Sequence, residues 1–371
     1  MSITTVERVG VESVERMGRR LAGDDDALLR RFHAVRAFGR TIRPSEYHLT
    51  NACNIRCQGC WFFTFGFDTR TRDTTSLTTL REFVQRERAR HVNSAVLIGG
   101  EPTLVPDRIA VFVDVMDYVS ISTNGLRPLP ADGFERVSIG ITLFGGGPLD
   151  DELRAIKPNG GRFSGLFDTA LANYRDDPRA FFSYAITSRG LPHIEPTVRR
   201  IRDNGNRVSF NYYSEYHTDD PLRRGHEERL LDEALRVYDA YPDTVVSHPY
   251  YLRALITGRT EFGQFGYDVC PSISADHPAH AARRTNGNPT LPLFNVYAPD
   301  LKTLNFCCTS GHCESCRDSL VVRTWLLVSV RQFLHSKAGL ETWVELAENY
   351  WRQFVWSPYA PRGARESMGT S

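Results

Sequence analysis

The sequence predicts an α/β protein: a partial (β/α)6 TIM-like barrel with N-terminal helices and a C-terminal cysteine-rich extension. Three observations carry that reading. Six short apolar or alternating runs between residues 45 and 215 are separated, with one exception, by helical patterns. Several of those runs put polar residues at every second position. The eight cysteines fall into two bunches, Cys53, Cys57 and Cys60 near the start and Cys270, Cys307, Cys308, Cys313 and Cys316 near the end.

Residues 1–44 form a helical arm. Two amphipathic patterns, VERVGVESVERMGRRLAG and ALLRRFHAVRAFGR, flank Asp24, Asp25 and Asp26, acidic residues suited to an N-cap. The barrel is read over 45–260. Its strands are expected at 46–51, 94–99, 118–123, 136–143, 179–187 and 207–213. Helical stretches at 76–91, 106–116, 167–176 and 193–204 lie between most of them; the gap between the third and fourth strands holds only a turn. Strands alternating with helices indicate a parallel sheet, and six units are too few to close an eightfold barrel. A further helix spans 228–241. The extension, 261–371, is loop-rich to about 318 and ends in two apolar helices, 319–335 and 340–355. There Trp343, Tyr350, Trp351 and Phe354 are spaced for one packed face.

At 371 residues, 41% hydrophobic and 24% charged, the chain has ample material for a core. A net charge of +1 gives it no global pull toward nucleic acid or an anionic membrane. No apolar run approaches the roughly 20 residues that cross a bilayer. The N-terminus lacks the apolar segment of a secretory signal. The expected location is cytoplasmic, where eight cysteines argue for metal or redox chemistry over disulfides.

Cys53, Cys57 and Cys60 give a C-x3-C-x2-C loop directly after the first strand. A [4Fe–4S] cluster normally takes four cysteines. Supplying three leaves one iron open, as a catalytic metal keeps one free position. Zinc is the alternative occupant. The second strand runs into Gly99-Gly100-Glu101-Pro102. Glycines let a backbone approach a ligand closely, a carboxylate complements an ammonium, and proline sets the turn that follows. Period-two alternation turns Ser120, Ser122 and Asn124 of the third strand inward. The same test turns in Ser138, Gly140 and Thr142, then Ser183 and Thr187, then Ser209, Asn211 and Tyr213. The result is a polar-lined interior at the strand ends where such folds keep their sites.

The cysteine triplet, Gly99–Pro102 and Ser122-Thr123-Asn124-Gly125, in this order, resemble the radical S-adenosylmethionine (SAM) superfamily over roughly residues 45–215. The resemblance implies that the open iron chelates the amino and carboxylate groups of SAM. It implies that Gly99, Gly100, Glu101 and Pro102 grip the SAM amino group, and that Ser122, Asn124 and Thr142 belong to the cofactor site. Arg154 faintly resembles an arginine that reaches the SAM carboxylate. One departure stands: many members carry an aromatic before the third cysteine, whereas here Gly59 holds that position and Trp61 follows. The implied activity is reductive cleavage of SAM to a 5′-deoxyadenosyl radical, the electron coming from an external one-electron reductant of flavodoxin or ferredoxin type. The radical then abstracts hydrogen from a small-molecule or peptide substrate in natural-product biosynthesis. Alternatives are an adenosyl-transfer enzyme of the same superfamily and a zinc-stabilised α/β protein without catalysis.

In the second group, Cys313 and Cys316 have the spacing for two ligands of one site, and Cys270 with either Cys307 or Cys308 completes four. The arrangement resembles a reduced SPASM or twitch extension, which implies an auxiliary [4Fe–4S] cluster; zinc is again the alternative. Tyr213, Glu215 and His217 follow the sixth strand and are candidates for substrate contact at the barrel mouth, or for a purely structural strand end.

Overall fold

A computed structural model describes residues 14–212, 226–260, 263–264, 273–278, 293–307 and 317–354. Strands β1 (Pro44–His48), β2 (Ser94–Ile98), β3 (Tyr118–Thr123), β4 (Val137–Leu143), β5 (Ala180–Ile186) and β6 (Arg207–Tyr212) pair in chain order. Every one of these pairings is parallel, and β6 ends the sheet without meeting β1. The expected open (β/α)6 architecture is therefore the observed one.

The helices that matter for the site are α1 (Asp26–Thr41), α2 (Leu77–Ala89), α3 (Pro106–Val115), α4 (Gly147–Arg154), α5 (Leu166–Asn173), α6 (Ile194–Asp203), α7 (Glu227–Ala240), α8 (Pro249–Thr257), α9 (Ser319–Val328) and α10 (Lys337–Phe354). Asp25 caps α1, its carboxylate accepting the Leu28 N–H at 2.9 Å. Alternation divides β4 cleanly: Val137, Ile139, Ile141 and Leu143 are at most 1% exposed and pack outward under the helices. Ser138, Gly140 and Thr142 line an interior cavity.

Two helices escape the sequence pattern. α4 begins within Gly145-Gly146-Gly147, a run that reads as loop, and α8 is initiated by Pro249 after an N-cap His248. The expected 319–335 helix divides: α9 stops at Ser329 and a single turn, Val330–Phe333, follows.

Part of the extension joins the barrel sheet. A two-residue hairpin pairs Arg259–Thr260 (β7) with Gly263–Gln264 (β8). Strand β9 (Val296–Tyr297) then runs parallel to β1, with Glu46 opposite Val296, and β10 (Leu304–Asn305) lies antiparallel outside it. The Glu46 N–H donates to the Asn295 carbonyl at 2.8 Å, and the Asn295 N–H to Ser45 Oγ at 3.2 Å. Helix α10 packs on α1: Trp351 meets Phe38 edge-on at 5.4 Å, Trp343 meets Phe32 at 5.8 Å, and Arg31 donates twice to Glu348. Trp343, Tyr350 and Trp351 are buried, as their spacing predicts; the Phe354 side chain lies outside the described residues. One hydrophobic cluster runs from Val14 to Trp351 through all these layers. No helix among the described residues is long and apolar enough to cross a membrane.

Candidate active site

The chain leaves β1 at His48 and turns sharply into the cysteine loop. Two residues far away in sequence hold that turn. Asp73 accepts the Thr50 hydroxyl at 2.6 Å and the Asn51 N–H at 2.9 Å. Arg108, buried on α3, donates to the Leu49 carbonyl at 2.7 Å and to Asp73 at 3.0 Å. Further on, the Arg56 N–H donates to Ile156 O at 2.7 Å and the Gln58 N–H to Leu153 O at 2.8 Å, which pins the loop to the end of α4. Gly59 takes a φ of +66°, so the position before Cys60 needs a glycine.

This bracing turns Cys53, Cys57 and Cys60 into one cavity of about 360 Å³. Each of the three sits in the electrostatic field of another. Burial pushes the Cys53 and Cys60 thiols up to about 12 and raises Cys57, the last against the pull of Arg154. Buried thiols of this kind ionise readily only when a cation takes their charge. Among the described residues, no three His, Cys, Asp or Glu gather tightly enough around one point to hold a single ion. The ligands of a polynuclear cluster sit on separate irons and need no such convergence. Three thiols of one short loop on one cavity wall are thus a donor set that fits a cluster with one uncommitted iron.

The Gly99–Pro102 turn abuts the same loop, and its glycines permit a close approach to it. A Cβ on Gly100 would lie 2.1 Å from the Ala52 carbonyl oxygen, and one on Gly99 would lie 2.8 Å from Thr50 O. Gly100 and Glu101 also donate their N–H groups to Thr50 O and Ala52 O, each at 2.8 Å. The close approach they permit is to the cysteine loop. Both glycines still face the cavity. Pro102 is set back and buried as the first residue of a 3₁₀ turn, Pro102–Leu104.

Glu101 is 1% exposed and heavily engaged. One carboxylate oxygen accepts the Thr103 N–H at 3.0 Å and the Thr103 and Thr123 hydroxyls at 2.7 Å each. The other accepts the Asn124 N–H at 2.8 Å. Asn124 in turn donates to Asn54 at 2.7 Å, which ties the end of β3 to the residue beside Cys53. Ser122 and Thr142 share a hydrogen bond of 3.4 Å on the cavity wall.

Arg154 is 2% exposed and reaches the cavity from the last turn of α4. It donates to the Thr142 carbonyl, pairs with Asp150 at 3.2 Å and lies 5.3 Å from the Phe144 ring centre. Among the described residues its Nε has no hydrogen-bond partner. Burial alone would lower its pKa, but Asp150 and Cys57 hold it above the ordinary value. Burial likewise raises Asp150, with Arg154 opposing.

Of the other inward residues the alternation predicts, Ser120, Ser138, Gly140, Ser183 and Asn211 line the cavity. Thr187 and Ser209 do not. Thr187 lies past the end of β5 and accepts the Gly190 N–H; Ser209 is covered by Ser247 and by Arg323 of α9 at 3.0 Å. Trp61 lines the cavity beside Cys60 and packs on His48 and Phe67, so an aromatic does stand next to the thiols, one position after the cysteine. Cys307 is buried. Cys270, Cys308, Cys313, Cys316, Tyr213, Glu215 and His217 lie outside the described residues.

The sequence reading passed over Asp73, Arg108, Asn54, Asp150, Glu46 and Asp318. A charged or amide residue beside a motif, as Asn54 is, or within a buried strand, as Glu46 is, was the available signal.

Comparison with known proteins comes last. No family model matches the chain. A curated relative, GTP 3′,8-cyclase of Acidothermus cellulolyticus, is 23% identical over 321 residues, covering 78% of this chain and 84% of that protein. Among solved structures, native anSMEcpe with bound AdoMet aligns at a TM-score of 0.47 and 12% identity, over 84% of this chain and 96% of the other. The same protein with AdoMet and the Cp18Cys peptide aligns with the same values. The chain is thus similar in sequence to the curated enzyme over most of both lengths, and the three motifs meet at one cavity.

Proposed function

We propose that the chain is a radical SAM enzyme that abstracts hydrogen from a small-molecule or peptide substrate in natural-product biosynthesis. One observation carries the reading: the three thiols of the Cys53–Cys60 loop open onto the same cavity as the Gly99–Glu101 turn and the polar ends of β3 and β4. When bound, a [4Fe–4S] cluster on these cysteines and SAM would supply a 5′-deoxyadenosyl radical by one-electron cleavage of the C5′–S bond.

The chain's own contributions are positional. Asp73 and Arg108 fix the loop that carries the thiols. Glu101 locks the ends of β2 and β3 together and leaves the cavity wall rigid. Arg154, held by Asp150 and Thr142, presents an unpartnered Nε–H at the cavity, suited to a carboxylate. Trp61 offers a flat apolar face beside the cluster loop and helps to exclude water. An external one-electron reductant of flavodoxin or ferredoxin type serves the cluster. Cys270, Cys313 and Cys316, with either Cys307 or Cys308, form an auxiliary [4Fe–4S] site in this reading.

The test is anaerobic reconstitution with iron and sulfide, then dithionite and SAM, with an assay for 5′-deoxyadenosine. Free 5′-deoxyadenosine is expected. An adenosylated product in its place would favour the adenosyl-transfer alternative, and a colourless zinc protein would end both readings.

A further inference from the structure

The cysteine loop has a second side. Cys53, Ile55 and Cys57 line the cavity, while Asn54 lines a separate, open cleft of about 650 Å³ together with Leu126, Lys157, Pro158, Asn159 and Phe163. No residue lines both, yet the wall between them is thin. Cys53 Sγ lies 4.0 Å from Asn54 Oδ1. Leu126 and Phe163 pack on the small apolar cluster of Ile55, Ala155 and Leu166, and Cys53 and Cys57 pack on the same three residues.

The cleft is already formed by the chain's own bonds. The Lys157 N–H donates to Gly161 O at 2.7 Å and the Phe163 N–H to Ala155 O at 3.1 Å, which closes a hairpin that turns at Gly160 with a φ of +84°. The Arg56 N–H ties the cysteine loop to that hairpin, and the Asn124 side chain ties it to the end of β3. The three bordering segments, 52–58, 124–130 and 155–165, carry Arg56, Arg127, Lys157 and Arg162 and no Asp or Glu. Arg127, Lys157 and Arg162 are exposed, and none of them is in an ion pair among the described residues. The acids just before the hairpin are engaged. Asp151 accepts the Gly165 and Leu166 N–H groups at 2.7 and 2.9 Å, and Glu152 pairs with Arg189 at 2.9 Å. An apolar floor bordered by positive charge thus sits against the back of the thiol loop. Such a patch marks a site for a partner, and its charge selects an acidic one.

We propose that this cleft is the docking surface of the electron donor, a small acidic redox protein that lays the edge of its prosthetic group over Leu126 and Phe163 and sets its carboxylates against Arg127, Lys157 and Arg162. The proposal rests on reading the Cys53–Cys60 loop as the seat of a redox cluster. One electron leaves the donor, which is oxidised by one, and enters the cluster, which is reduced by one; no atom is transferred. Asn54 is the short way through, because its side chain borders the cleft and meets Cys53. Electron-transfer encounters are small, below about 1,200 Å² in total, so a shallow floor with a charged border is enough. The donor approaches from outside while SAM and substrate occupy the cavity, and the two routes do not compete for space.

The probes are flavodoxin and a [2Fe–2S] ferredoxin, both acidic, with cytochrome c as the basic control. Binding to the full chain, metal-free and reconstituted, is measured by fluorescence titration at increasing sodium chloride. Cluster reduction by the reduced donor is followed by stopped flow, beside reduction by dithionite. At least one acidic donor is expected to bind both forms, more weakly as salt rises, and cytochrome c is expected not to bind. Lys157→Glu and Arg162→Glu are each expected to weaken donor binding about tenfold or more and to slow reduction by the donor in proportion. Iron content and reduction by dithionite should stay at the wild-type level in both, which separates a lost contact from a folding defect. Arg253→Glu, on α8 and away from the cleft, should change nothing. Absence of binding by both acidic donors, unchanged affinity in the two cleft variants, or an equal loss in Arg253→Glu would overturn the proposal. The two readings fail separately. A chain that binds the donor but releases no 5′-deoxyadenosine keeps the docking surface and loses the radical chemistry; one that releases it with dithionite and binds no acidic donor does the reverse.

Discussion

The Thr123 hydroxyl donates to Glu101 at 2.7 Å across the ends of two neighbouring strands, and this bond makes Glu101 a brace as much as a ligand candidate. Four donors converge on its carboxylate. Glu101→Gln would turn an NH2 group toward at least one of them. We expect a loss of about 2–3 kcal/mol in the stability of the metal-free protein, before any cofactor is involved. Urea unfolding of the apo form measures it; unchanged stability would mean that the brace is dispensable.

Gly100 has no room for a methyl group, because a Cβ would fall 2.1 Å from Ala52 O. Gly100→Ala must displace the cysteine loop. The expected cost is about 1–3 kcal/mol, and iron content after reconstitution should fall with it. A variant that retains full iron would show that the loop yields without losing its geometry.

Arg108 and Asp73 form the outer support of that loop. Arg108→Ala leaves Asp73 and the Leu49 carbonyl short of a donor in a part-buried site. A loss of about 3 kcal/mol is expected. Iron per chain should drop before the far-ultraviolet dichroism changes. Equal iron in variant and wild type would assign Arg108 to general stability alone.

Cys57→Ala removes the thiol nearest Arg154. The reconstituted variant is expected to lose the broad iron–sulfur absorption of the first site and all 5′-deoxyadenosine formation. Stripping iron from the wild-type protein with a chelator should have the same effect on product. Residual 5′-deoxyadenosine in either case would remove the three cysteines from the chemistry.

Away from the site, Arg236, Tyr241 and Arg199 hold the Glu195 carboxyl down to about 2. A depressed carboxyl stabilises the fold above its unfolded pKa, near 4.5, and that contribution is lost as pH falls toward the folded value. The difference in urea midpoint between wild type and Glu195→Gln should therefore be constant from pH 7 to 5.5 and shrink from pH 5 to 3. A pH-independent difference would mean that the pairing does not survive in solution.

Much of the site was legible because its chemistry is local in sequence. The C-x3-C-x2-C spacing, the Gly-Gly-Glu-Pro turn and the alternating serines each lie within a dozen residues and follow from strand periodicity. What was not legible depends on distance. Arg108 reaches back 59 residues to Leu49, and Glu46 comes to line one cavity with Asp318 only after the chain has folded around β1. Periodicity also misled at its margins: it turned Thr187 and Ser209 inward, but one lies beyond its strand and the other beneath Arg323. The packing of Gly99 and Gly100 on the cysteine loop, 48 residues from Ala52 to Gly100, was likewise not legible. The β9–β10 addition left no trace in the pattern, since two-residue strands carry no period.

The pairing of β9 with β1 spans 250 residues of chain, from Ser45 to Asn295. During synthesis the cysteine loop and its braces emerge long before the segment that walls off the flank of the first strand. Until roughly that point has left the ribosome, the future chamber stands open on one side. The wall that Phe294, Leu320 and Tyr350 give the cavity is therefore among the last parts of it to be made.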